Sequence, residues 1–282
     1  MKWKGRAGSS NVEDRRGKGG GKAIAGVGGG IGLIIVIIIT LLGGNPDDLM
    51  GNLGTTDQSS SVPYEESEQE KELSEFVSVI LADTEKVWAE IFKENGMEYV
   101  EPTLVLYTDS VNSACGAAGA SVGPFYCPGD QKLYIDLSFY QELQTKFNAP
   151  GDFAMAYVIA HEVGHHVQTL LGTTEQVMPL QQKLSEEEFN KYLVRFELQA
   201  DYFSGVWAKH AQGMGYLEEG DLDEALTAAS AVGDDTLQKQ AMGYVVPESF
   251  THGTSEQRKS WFYKGYENGT IQGGDTFNSK TP

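Results

Sequence analysis

The sequence predicts an α+β body, mostly helical with one small sheet, preceded by a helix that spans a membrane. Three observations predict it. Apolar residues recur at helical spacing through long stretches between residues 65 and 268. Two short runs, Thr103–Tyr107 and Leu133–Leu137, have the composition and alternation of strands. Residues 23–44 carry no charge and contain the run Ile31-Gly32-Leu33-Ile34-Ile35-Val36-Ile37-Ile38-Ile39.

Taken in order, residues 1–22 form a basic tail. It holds Lys2, Lys4, Arg6, Arg15, Arg16, Lys18 and Lys22 against only Glu13 and Asp14, and its glycine content predicts disorder. About 20 apolar residues cross a bilayer core, so residues 23–44 are expected to be an anchor. A cleavable signal peptide is the rival, but no A-x-A site follows Leu42. The basic residues before the anchor would hold the N-terminus in the cytoplasm. The body after it would then face the periplasm or the exterior. Residues 45–62, rich in Gly, Ser, Thr, Asp and Asn, are the expected linker.

The body is expected over residues 63–272, with a loose tail at 273–282. A long helix should cover Glu65 to Asn95, with Gly96 ending it. The strand at Thr103–Tyr107 comes next, then a loop over Asp109–Asp130 that carries glycines, prolines and both cysteines. The second strand leads to a short helix near Ser138–Phe147. Pro150 and Gly151 break it, and Asp152 is placed to cap a helix running to about Leu171. Ser185-Glu186-Glu187-Glu188 is a capping-box sequence opening a helix to about Ala211. Helices are further expected near Asp221–Val232, Asp235–Met242 and Ser255–Asn268.

Charge excludes one class of partner. The chain has 40 acidic against 21 basic residues, a net of −19, and seven of the basic residues lie before residue 23, which leaves 14 basic against 38 acidic in the rest. An acidic body repels nucleic acid. The chain has two cysteines, Cys115 and Cys127, and an oxidising compartment favours pairing them as a disulfide. A metal-binding pair or two free thiols are the alternatives.

The chemistry-bearing motif is His161-Glu162-Val163-Gly164-His165. Residues four apart share a helix face, so both imidazoles aim at one point with Glu162 beside them. That is most of a catalytic zinc site holding one ion. Gly164 is a poor helix former, which makes sense if another backbone passes close. Gln168 stands where an extended three-histidine motif has its glycine, so the third ligand must lie farther on. Glu197 is the candidate, on the edge of an apolar stripe. Asp201, one turn later on the same side, is placed to hold a ligating histidine by its other ring nitrogen; the two acids could exchange roles. His166 points about 100° away around the helix and is not a ligand.

The pattern His161-Glu162-x-x-His165 followed by Glu197-x-x-Ala200-Asp201 resembles that of the gluzincins. More specifically, the chain is similar to a bacterial family of membrane-anchored neutral zinc metallopeptidases. The segments Cys115-Gly116, Gly123-Pro124-Phe125-Tyr126-Cys127-Pro128, Tyr134-Ile135-Asp136-Leu137 and His252-Gly253-Thr254-Ser255-Glu256-Gln257-Arg258 carry the likeness. The resemblance covers roughly residues 65–270. It implies a zincin-like fold, an N-terminal membrane helix, one catalytic Zn2+ and a peptide or protein substrate. Glu162 would be the general base. His252, Arg258 and Tyr202, in that order, are candidates to stabilise the oxyanion. By position, the strand at 133–137 would pair with substrate, or else be a plain core strand. Two other readings stand beside the peptidase: a catalytically silent, zinc-stabilised interaction module on a membrane tether, and a zinc amidase acting on cell-wall peptides.

Overall fold

The structure, a computed structural model, describes residues 1–17 and 64–280. The anchor expected at 23–44 and the linker at 45–62 lie outside the described residues. Among the described residues no helix is long and apolar enough to cross a membrane.

The sheet has four strands in the order β1-β2-β6-β5. Strand β1 is Val12–Asp14, β2 is Thr103–Tyr107, β5 is Phe125–Cys127 and β6 is Lys132–Asp136. The first three in spatial order run parallel, and β5 lies antiparallel on β6. A separate hairpin, β3 (Ser110–Ser113) with β4 (Gly116–Gly119), precedes β5. The region expected to be loop between 109 and 130 thus holds three short strands. The Cys115–Cys127 disulfide ties the hairpin turn to the end of β5. Strand β6 is hydrogen-bonded on both sides, so it cannot accept a substrate strand. Of the two strands beside it, β5 has an open edge.

Helices make up most of the body, as the periodicity predicts. They are α1 (Glu68–Glu94), α2 (Phe139–Thr145), α3 (Asp152–Leu170), α4 (Thr173–Val177), α5 (Glu186–Gly213), α6 (Asp221–Ala231), α7 (Asp234–Met242) and α8 (Ser255–Asn268). Helix α5 opens with the Ser185–Glu188 capping box. Asp152 does not cap α3; Gly151 stands at the cap, and Asp152 receives the α-ammonium of Met1 at 2.7 Å instead.

One core joins α1, α3, α5, α6 and α8 to one face of the sheet through Phe76, Trp88, Phe153, Phe203, Trp207 and Phe262. Helices α5 and α8 cross at backbone contact. A Cβ on Gly205 would fall 1.9 Å from the Phe262 carbonyl oxygen, and one on Gly265 1.9 Å from that of Tyr202. Only glycine admits this approach, and it carries the N-terminal turn of α8 over α3.

Both termini depart from expectation. Residues 1–17 are folded, not disordered. Strand β1 joins the sheet, Trp3 packs edge-on against Phe76, and the Lys2 amide donates to the Tyr216 carbonyl. The polar tail is pinned as well. The Arg195 guanidinium donates to the carbonyls of Thr276, Phe277 and Ser279, and Thr276 is fully buried.

Candidate metal centre

Helix α3 is buried along most of its length, so its polar residues sit where a fold tolerates them only when partnered. His161 and His165 project from one face, their ring centroids 4.8 Å apart. Helix α5 crosses that face. A Cβ on Gly164 would lie 2.8 Å from the Ala200 carbonyl oxygen, so the glycine inside the motif is what lets the two backbones meet. The crossing delivers Glu197: its Oε2 lies 3.1 Å from His161 Nε2 and 3.5 Å from His165 Nε2. Potential ligand atoms of His161, His165 and Glu197 all fall within 4.8 Å of one another, as a metal site requires.

The opposite ring nitrogens are tied off. His161 Nδ1 lies 2.8 Å from Asp201 Oδ1, and His165 Nδ1 lies 2.8 Å from Gln168 Oε1. With each Nδ1–H donating outward, both Nε2 atoms face Glu197. Two neutral imidazoles and one carboxylate form the donor set preferred by Zn2+ in hydrolytic sites, and the acceptors behind the rings fix the tautomers that ligation needs. The residues present therefore fit a zinc ion.

Asp201 is the hub beneath the cluster. It is fully buried and accepts from the Tyr157 hydroxyl at 2.6 Å and from Arg258 Nε and Nη2 at 2.8 and 3.0 Å. Burial would raise its pKa, but the Arg258 charge and His161 outweigh that and hold it well below the usual carboxylate range. Burial likewise opposes ionisation of Glu197, and the charges of His165 and His252 overcome it. Burial would lower the His161 pKa; Asp201 and Glu197 instead hold it up at about 9. A bound cation would take the place of that proton. For Glu162 burial prevails, and its pKa is raised despite the two histidines.

A cavity of about 240 Å³ opens over the cluster. His161, Glu162, His165, Glu197 and His252 line one side. Phe125, Phe139, Phe147, Val158, Met178 and Phe196 give the rest of the wall an apolar character. His252 enters from the loop before α8. Asp234 Oδ2 accepts the backbone N–H groups of Thr251, His252 and Gly253 at 2.7, 2.6 and 3.0 Å, and Asp234 Oδ1 lies 3.4 Å from His252 Nδ1. Burial would lower the His252 pKa, but Glu197 and Asp234 raise it.

Two sequence candidates are placed otherwise. The Tyr202 hydroxyl donates to the Thr270 carbonyl at 2.8 Å and does not line the cavity. Arg258 borders the cavity, but its guanidinium is engaged by Asp201 and the Val232 carbonyl. His166 is turned away, its Nε2 2.6 Å from the Val100 carbonyl oxygen. Sequence reasoning missed Tyr157, Gln168 and Asp234. The first two stand one turn before His161 and three residues after His165, on the motif's own face, and that spacing was the available signal. A second acid group, Asp152, Asp221 and Glu224, also has metal-like spacing, but the Met1 ammonium stands against it.

A protein of Escherichia coli K12, "Uncharacterized protein YpfJ", is 49% identical over 283 residues, covering 98% of this chain and 99% of its own length. "Uncharacterized protein Rv2575" of Mycobacterium tuberculosis H37Rv is 43% identical over 192 residues, 64% of each chain. No solved structure matches this chain. The family model described as "Putative neutral zinc metallopeptidase" matches residues 1–277, and the chain belongs to that family.

Proposed function

We propose that the protein is a zinc-dependent peptidase of the glutamate-ligand type, with His161, His165 and Glu197 holding one Zn2+. The observation that carries this reading is the convergence of both Nε2 atoms on Glu197 Oε2 while both Nδ1 atoms are tied to Asp201 and Gln168. Bound there, the ion would polarise the scissile carbonyl and acidify a water. Glu162, next to His161 and on the cavity wall, takes the proton of the attacking water and passes it to the leaving amine. His252, held by Asp234, faces the same cavity and donates to the oxyanion as it forms. Asp201 fixes the His161 ring and neutralises Arg258, so both are positioning residues.

The open edge of β5 borders the cavity through Phe125 and Tyr126, which suits an extended peptide laid along it. The apolar wall favours a bulky apolar side chain beside the cleaved bond. The Cys115–Cys127 disulfide supports an oxidising compartment, outside the cytoplasm, as the place of action.

The test is cleavage of a broad peptide library by the purified full chain, with and without chelator, beside Glu162→Gln. We expect chelator-sensitive cleavage that falls at least ~100-fold in the variant while its zinc content stays unchanged. Full activity in Glu162→Gln would remove the general-base role. Failure to cleave any peptide would favour the silent zinc module.

A further inference from the structure

The N-terminal segment and the body are one folded unit. In β1, Val12, Glu13 and Asp14 pair with Leu104, Val105 and Leu106 of β2. The Leu104 amide donates to the Asn11 carbonyl, and the Arg15 amide to that of Leu106, both at 2.8 Å. Trp3 is buried against Phe76 of α1, and Ser9 and Asn11 both donate to Glu85. The basic residues that suggest a cytoplasmic tail are engaged with acids: Lys4 with Glu72, Arg6 with Asp83, Arg15 with Glu13, and Arg16 with Asp14 and Glu66. Their charge is therefore largely matched within the fold. The stretch matched by the family model also begins at residue 1.

The two chain ends that flank residues 18–63 meet. A Cβ built on Gly17 would fall 2.2 Å from Tyr64 Cβ, and the Arg16 guanidinium sits 5.8 Å from the Tyr64 ring centroid. A segment that crosses a bilayer once leaves its two ends on opposite faces, about 30 Å of hydrocarbon apart. Ends in van der Waals contact cannot be so placed. Residues 45–63 contain Asp47, Asp48 and Asp57, and acids of this kind oppose insertion into a bilayer core.

We infer that residues 1–17 and the body lie on the same side of any membrane the protein meets. This inference stands apart from the peptidase reading.

Thiol labelling of the full chain in cells tests it. The two native cysteines are paired, so an introduced cysteine is the sole free thiol. Lys4→Cys reports on the N-terminal segment, where the side chain is 74% exposed, and Glu90→Cys reports on an exposed position of α1. Cells stripped of any outer envelope are treated with a membrane-impermeant maleimide before and after lysis. We expect both positions to behave alike, reacting before lysis or only after it. Labelling of one before lysis and the other only after would overturn the inference. Hydrogen exchange on the purified, membrane-reconstituted chain gives a second readout. The Arg15 and Leu104 amides should be protected at least ~100-fold over open chain, since strand-paired amides exchange through unfolding. Open-chain exchange of residues 1–17 would equally overturn it.

Discussion

Gly164→Ala probes the crossing that brings the two halves of the metal centre together. The new methyl would meet the α5 backbone at 2.8 Å from the Ala200 oxygen and 3.1 Å from its Cα. Unstrained contacts to carbon begin near ~3.5 Å, so the helices must part by about 0.5 Å. Overpacking of this kind costs about 1–3 kcal/mol, and replacing a helical glycine by alanine returns about 1 kcal/mol. The net loss of stability is then ~0–2 kcal/mol. At ~2–4 °C per kcal/mol for a body of this size, Tm falls by no more than ~8 °C. The site should suffer more than the fold. Glu197 lies one helical turn before Ala200, and ligand distances tolerate only ~0.2 Å. Zinc affinity should drop ~10-fold or more, as it does when ligand-orienting contacts are lost. Competition against a chromophoric chelator measures that affinity, and thermal melts with and without EDTA measure stability. Unchanged zinc affinity together with a raised Tm would refute the close-crossing argument.

Two further outcomes follow from charges in the fold. Asp201→Asn leaves Arg258 buried without its counter-charge, which should destabilise the protein by about 3–5 kcal/mol in chemical denaturation; adding Arg258→Met should recover part of that, and no recovery would argue against the pair. Glu13, in β1, is held down to about 2 by hydrogen bonds from Arg15 and Lys132 against some burial. A depressed carboxylate stabilises the folded state above its ordinary value of 4.5 and loses that contribution as pH falls toward about 2. The Tm gap between wild type and Glu13→Gln should therefore be present at pH 6 and close on acidification. A gap that widens in acid would contradict the sign.

Long periodic segments were legible because burying one face of a helix leaves a repeating trace. Helices α1, α5 and α8 begin and end within a few residues of where apolar spacing and capping sequences put them. Strand β1 left no such trace. Val12-Glu13-Asp14 is too short and too charged to show alternation, and its partners lie about 90 residues away at Leu104–Leu106. Shorter but still long separations hid the pairs of Lys4 with Glu72, Arg6 with Asp83 and Arg16 with Glu66, so a segment fixed by long-range charge looked like a solvated tail. Strands β3, β4 and β5 were obscured by glycines and by their shortness: the disulfide and a small cluster of Val111, Ala118 and Val122 against Val105 and Tyr134 hold the hairpin, with too few apolar positions to show alternation. At the site, His161, Glu162 and His165 announce themselves by spacing within one turn. Gln168 and Tyr157 share that helix but resemble ordinary polar and core residues until α5 is in place. Asp234 is invisible in sequence because its role is to gather three amides of a loop 17 residues later.

The central claim is that His161, His165 and Glu197 hold one zinc ion. X-ray absorption at the zinc edge on the purified full chain, beside Glu197→Ala, tests it most directly. We expect one zinc per chain with two imidazole nitrogens near ~2.0–2.1 Å and a carboxylate oxygen near ~2.0–2.2 Å, and loss of most of the metal in the variant. A chain that binds no zinc, or a Glu197→Ala spectrum and zinc content identical to wild type, would contradict it.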